Sequence, residues 1–248
     1  WAKGALAWRR AGAPDGQRVI FIHGTPGFAA EWSPFLGSPL PGMEFVAYDR
    51  PGFGATLPEH AFPDLHEQAL ALEPLLVERE GRWPILVAHS YGTPVACRAA
   101  AEFPERMGGL VLVGAALDPE LLKRPSPVKK AFRSKLLQWL MPTEMRHART
   151  EAVSLKSQLV ELAPMLRRIR CPVMVFHGTE DTFTPYGNVA YIQKHFDPGV
   201  LQEVYSFEGR NHFVPWTEME AILAAIQQLH EQSPPLQPNK LAPSARQR

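Results

Sequence analysis

The sequence predicts an α/β fold: a mostly parallel central sheet with helices packed on both faces. Three observations carry that prediction. Short apolar runs alternate with stretches of helical periodicity in a βαβα rhythm. All but the last of these runs are apolar almost throughout, as strands covered on both sides should be. The chain, at 248 residues, is long enough for one large hydrophobic core.

Strands are expected over residues 19–22, 45–48, 85–88, 110–113, 173–176 and 202–207. A helix is expected over 64–80, where Leu65, Ala69, Leu72 and Leu76 share a face; Pro74 within it predicts a kink or a break. A cleaner helix is expected over 215–232, where Met219, Ile222, Leu223, Ile226 and Leu229 fall along one stripe. Between these segments the strand rhythm stops at residues 118–170, which are rich in Lys and Arg and carry Pro119, Pro125, Pro127, Pro142 and Pro164. That stretch reads as a short helical lid, with a helical piece at 129–140, inserted into a core formed by 1–117 and 171–232. Residues 233–248 are rich in Pro, Gln and basic residues and are expected to be disordered.

Bulk properties exclude several classes of function. A formal net charge of +1 gives no general attraction to nucleic acid or anionic lipid. No apolar run approaches the ~20 residues that span a bilayer. Cys97 and Cys171 have neither the number nor the spacing of a disulfide framework or a metal site, and read as core thiols. The first residue is Trp1 rather than Met, so upstream processing is expected and a preceding signal or anchor is compatible with the chain. The compartment stays open, with the cytoplasm slightly favoured. A small-molecule substrate is the expected partner, and the sequence does not establish an oligomeric state.

The chemistry is concentrated in Ala88-His89-Ser90-Tyr91-Gly92, between the apolar run Ile85-Leu86-Val87 and a helical pattern. A strand turning sharply into a helix around one serine exposes that hydroxyl at the top of the sheet, and small residues two before and two after it allow close approach. Ser90 is therefore the candidate nucleophile. A serine hydroxyl needs a base, and His212 sits in a loop after the last expected strand. An imidazole base needs a carboxylate on its other nitrogen, and Asp181 follows the strand expected at 173–176, at the sheet edge where active groups of parallel sheets collect.

In chain order and in its motifs, the sequence resembles the α/β-hydrolase superfamily, in its serine, esterase-like branch. The resemblance runs from about Ala7 to Gln232. It rests on His23-Gly24-Thr25-Pro26-Gly27, Asp49-Arg50-Pro51-Gly52-Phe53-Gly54, the Ser90 turn, and the acid and histidine loops. It implies Ser90 as nucleophile, His212 as general base and then acid, Asp181 as orienting carboxylate, and the backbone N–H groups of Thr25 and Tyr91 as an oxyanion hole. It implies neither metal nor organic cofactor. One departure is Ala88, where the family usually has glycine. Relatives that open epoxides or displace halide carry aspartate at the position of Ser90, so serine argues against both chemistries.

The expected reaction is hydrolysis of a carboxylic ester, or a similar acyl bond, of a small to medium hydrophobic substrate through an acyl-serine. Carbon–carbon bond hydrolysis on the same triad is the enzymatic alternative. A non-catalytic ligand receptor or binding module is the alternative of another class. Phe28, Trp32, Trp139 and Phe213 are the expected pocket walls, with Phe132, Leu136, Leu137, Leu140 and Met141 of the lid either facing the pocket or docking on the core. Asp118 is the competing acid, and Glu180 is expected to point away. His23, His89 and His177 read as structural, and Asp49 with Arg50 as a turn-stabilising pair.

Overall fold

The computed structural model describes residues 4–122 and 141–233. The expected helical piece at 129–140, with Phe132, Leu136, Leu137, Trp139 and Leu140, lies outside the described residues, as do 234–248.

Seven strands form one sheet in the order β1-β3-β2-β4-β5-β6-β7. They are β1 (Trp8–Gly12), β2 (Gln17–Ile22), β3 (Met43–Tyr48), β4 (Ile85–His89), β5 (Gly109–Val113), β6 (Val173–Gly178) and β7 (Leu201–Phe207). All neighbours are parallel except β1 on β3. Every expected strand is present. β1 was not expected: its residues are largely exposed and show no apolar run.

Among the described residues the helices are α1 (Ser33–Leu36), α2 (Leu65–Leu72), α3 (Gly92–Glu102), α4 (Thr143–Leu162), α5 (Gly187–His195), α6 (Val214–Thr217) and α7 (Met219–Gln232). Asp64 caps α2 by accepting the N–H groups of His66 and Glu67. Pro74 ends the helix as expected, leaving a 3₁₀ turn at Glu73–Leu75. Successive strand residues face opposite sides, so the sheet has two cores. Ile20, Ile22, Leu86 and Leu112 pack with α2, α3, α4 and α5. Val19, Phe21, Val87 and Val111 pack with Trp32, Phe35 and α7. Cys97 and Cys171 are free and buried, and burial pushes the Cys171 thiol up to about 12.

The sheet edge that holds the carboxyl ends of the parallel strands carries the loops of interest. Helix α3 can start there because residue 92 is glycine: a Cβ on it would lie 2.5 Å from the carbonyl oxygen of Ile22. Ala88, fully buried, fits where the family's usual glycine is missing. No helix among the described residues is long and apolar enough to cross a membrane.

Candidate active site

Ser90 stands between β4 and α3 with φ of 54°, in the left-handed region that costs a non-glycine residue energy. Its N–H donates to Val113 O at 3.0 Å, and its carbonyl accepts from Thr93 N and Thr93 Oγ1 at 2.9 and 2.7 Å. The neighbouring strand and the start of α3 thus hold the turn. Gly24 lies directly against it: a Cβ there would come within 3.1 Å of Ser90 Cβ.

His212 and Asp181 meet across 31 residues, with Nδ1 of the imidazole 2.7 Å from Oδ2 of the carboxylate. Oδ1 of Asp181 accepts the N–H groups of Phe183 and Thr184 at 2.8 and 2.9 Å. Thr184 Oγ1 lies 2.8 Å from Oδ2. Burial pushes the Asp181 carboxyl up, but the bonds from His212 and Thr184 outweigh it and hold the group below the usual carboxylate range. With Nδ1 on the acid, Nε2 of His212 makes no hydrogen bond among the described residues.

Ser90, His212, Thr25 and Tyr91 line one cavity of about 350 Å³. Among the described residues, the backbone N–H groups of Thr25 and Tyr91 meet no protein acceptor. The remaining wall is largely apolar: Pro26, Ala116, Leu122, Phe183, Phe213 and Trp216, with Ala152 and Leu155 from α4. A groove of this size and character suits a small hydrophobic molecule. No group of three or more His, Cys, Asp or Glu side chains among the described residues could hold a metal ion.

Several expectations need correction. Trp32 does not line the cavity; it is 1% exposed and packs on Phe21 and Phe35 at ring separations of 5.1 and 5.4 Å. It lies next to the first loop in sequence, but the 3₁₀ turn Ala29–Trp32 rotates it into the core. Phe28 is half exposed outside the cavity wall. Trp139 lies outside the described residues. Of the three described, Phe213 reaches the cavity. Asp49 and Arg50 do not pair with each other. Asp49 accepts the N–H groups of Ala29 and Ala55 at 2.7 and 3.0 Å, while Arg50 pairs with Glu151 on α4.

Asp118 forms no hydrogen bond or ion pair with His212; its Oδ1 accepts the N–H of Glu120 at 2.8 Å. Glu180 is exposed. His89 lies closer to the site than strand alternation implies, because the left-handed turn at Ser90 breaks that alternation. Its Nε2 donates to His212 O at 3.0 Å, and burial together with the nearby His212 pulls its pKa down to about 3. His177 Nε2 donates to Thr184 O at 2.8 Å. Sequence reasoning missed Thr184, Phe183 and Trp216. It also missed Gly114, where a Cβ would sit 3.3 Å from His212 Nδ1. A glycine directly after an apolar strand was the one available signal.

A family model described as "Alpha/beta hydrolase family" matches residues 19–225. The chain is 25% identical over 253 residues to a non-heme chloroperoxidase of Streptomyces lividans, covering 85% of this chain and 90% of that one. It is 30% identical over 110 residues to a haloalkane dehalogenase of Bradyrhizobium diazoefficiens, covering 44% of this chain and only 35% of the dehalogenase. The fold is similar to that of the Paleococcus ferrophilus monoacylglycerol lipase, with TM-score 0.68 and 20% identity over 92% of this chain and 100% of the lipase.

Proposed function

Because the chain belongs to the α/β-hydrolase family, we propose that it is a serine hydrolase cleaving a carboxylic ester, or a similar acyl bond, of a small to medium hydrophobic substrate. One observation carries the reading: a serine at φ 54° and a histidine bonded to a buried carboxylate line the same largely apolar cavity as two unpartnered backbone N–H groups.

Ser90 Oγ attacks the carbonyl carbon while His212 Nε2 takes its proton. Asp181 holds the imidazole by Nδ1 and stabilises the imidazolium. The carbonyl oxygen becomes an oxyanion and accepts the N–H groups of Thr25 and Tyr91. The leaving alcohol departs with the proton from His212, giving an acyl-serine. Water, deprotonated by the same histidine, then attacks the acyl carbon and frees the acid and Ser90. The segment 118–170 acts as a lid, α4 supplying Ala152 and Leu155 to the cavity.

The dehalogenase likeness suggests a different reaction, but its match covers a minority of both chains, and serine at position 90 suits acyl transfer. A fluorophosphonate probe tests the reading. Expected is stoichiometric labelling of the native chain, none of Ser90→Ala, and turnover of p-nitrophenyl esters with a preference for short or medium acyl chains. An unlabelled native protein, or Ser90→Ala labelled equally, would sink it.

A further inference from the structure

Arg50 and Glu151 form a buried ion pair whose side chains are both 0% exposed. Arg50 directly follows Asp49 at the end of β3, whereas Glu151 lies 101 residues away on α4. The guanidinium is bidentate on the carboxylate, at 2.7 Å to Oε1 and 3.2 Å to Oε2. Its other donors go to the loop after β2: Nε to His23 O at 3.0 Å and Nη2 to Gly24 O at 2.8 Å. Phe53 and Tyr91 place their rings 4.9 and 4.8 Å from its central carbon. Burial opposes the charge, but Glu151 outweighs it and raises the guanidinium pKa further.

His23 completes the arrangement. Its Nε2 accepts the N–H of Arg50 at 2.9 Å, so the ring proton sits on Nδ1 and donates to Gly24 O at 2.8 Å. Gly24 O thus accepts two hydrogen bonds, both from buried groups. The Gly24–Thr25 peptide is trans, and in a trans peptide the carbonyl and the following N–H point in opposite directions within one rigid plane. Holding Gly24 O back against Arg50 and His23 therefore aims the N–H of Thr25 the other way. That N–H belongs to a cavity-lining residue beside Ser90 and has no protein acceptor among the described residues.

We infer that Arg50 is a positioning residue that orients the Thr25 oxyanion donor, and that Glu151 makes this orientation depend on the seating of α4. The inference rests on the serine-hydrolase reading. The buried charge on α4 thereby acquires a role. When the helix carrying part of the substrate wall is in place, Glu151 neutralises Arg50, and Arg50 locks the peptide plane that stabilises the oxyanion. Displacement of α4 leaves a buried guanidinium without its carboxylate, so the loop loses its fixed geometry. A helix that shapes the pocket thereby also controls catalytic competence.

The test uses the full chain with Arg50→Lys, Glu151→Gln and the paired replacement Arg50→Met with Glu151→Met, which leaves no lone buried charge. Steady-state kinetics on a p-nitrophenyl ester and affinity for an alkyl boronic acid, whose serine adduct occupies the oxyanion site, are measured where circular dichroism shows each variant folded. Removing one oxyanion donor costs about 10²–10³ in rate, and a misaimed donor costs less, so kcat should fall by about 10- to 100-fold. KM should stay within about threefold, and boronate affinity should fall with kcat. Glu44→Gln, which weakens a buried ion pair at the opposite end of the sheet, should leave kcat alone. Folded variants that keep native kcat and boronate affinity would overturn the coupling. If the methionine pair does not fold, the near-isosteric Glu151→Gln decides by the same split. A native chain with neither fluorophosphonate labelling nor ester turnover would instead remove the underlying reading.

Discussion

Glu44 and Asp181 are both buried carboxylates, at 1% and 5% exposure, and they stand at opposite ends of the sheet. Glu44, near the start of β3, is surrounded by arginines: Arg18 at 2.8 Å, Arg79 at 3.3 Å and Arg10 at 3.4 Å. Asp181, beyond the end of β6, is held by two backbone N–H groups, a hydroxyl and an imidazole. The partners decide what each group can do. Arginine side chains bring charge and hydrogen bonds but no proton to pass on, so the contacts of Glu44 serve the scaffold. An imidazole can accept a proton on one ring nitrogen while it donates from the other, and the free nitrogen of His212 belongs to a residue lining a cavity. A buried carboxylate alone thus says little; its partners and the adjoining space separate scaffold from chemistry.

Substitution at the two ends should separate these roles. Asp181→Asn keeps the shape but favours the wrong imidazole tautomer, and ester turnover should fall by about 10³–10⁴-fold. Its thermal unfolding should move far less than its rate. Steady-state kinetics beside a melting curve makes the comparison, and near-native turnover in the folded variant would reassign the acid. Glu44→Gln should show the reverse. Removing one member of a buried ion pair strands the others, and a loss of about 3 kcal/mol is expected, at the low end because Arg10 is half exposed. Urea unfolding measures that loss. Unchanged stability, or altered kcat, would erase the distinction between the two ends.

The same contrast explains what was legible in the sequence. Strands buried on both faces advertise themselves as apolar runs, and the Ser90, Asp181 and His212 loops follow from where those runs end. β1 left no such signature, because an antiparallel edge strand reading Trp-Arg-Arg-Ala-Gly is mostly exposed. Helix α4 falls within the stretch expected to be helical, but its own bounds were hidden for a more specific reason. Its buried stripe runs Ala148, Glu151, Leu155, Leu159, Leu162, and a charge interrupts the periodicity. A buried Glu reads as solvent-facing until its partner Arg50, 101 residues away, is known. Trp32 failed the other way: closeness in sequence to the site loop says nothing about which way a side chain turns. Local pattern reveals elements whose burial is uniform, and long-range ion pairs are invisible to it.

A third carboxylate refines the comparison with the smallest expected effect. Glu31 lines the same cavity as Ser90, and burial raises its carboxyl from the ordinary value of 4.5 to about 7, against the opposing pull of the Phe28 N–H and Arg50. Asp181, behind the cavity-lining His212, is shifted downward because His212 and Thr184 donate to it. The signs therefore oppose. Between pH 4.5 and about 7 the folded chain keeps a proton on Glu31 that the unfolded chain releases, so this group makes stability fall as pH rises. Asp181 contributes stability that is present above the ordinary carboxylate range and is lost only as pH drops through its lowered pKa. Glu31→Gln should gain on the native chain through that window and hold a constant advantage above it. Urea unfolding across a pH series reads the difference directly. Parallel curves for the two proteins would mean that Glu31 titrates as a solvated carboxylate, and that the rim of the cavity is wetter than its apolar wall implies.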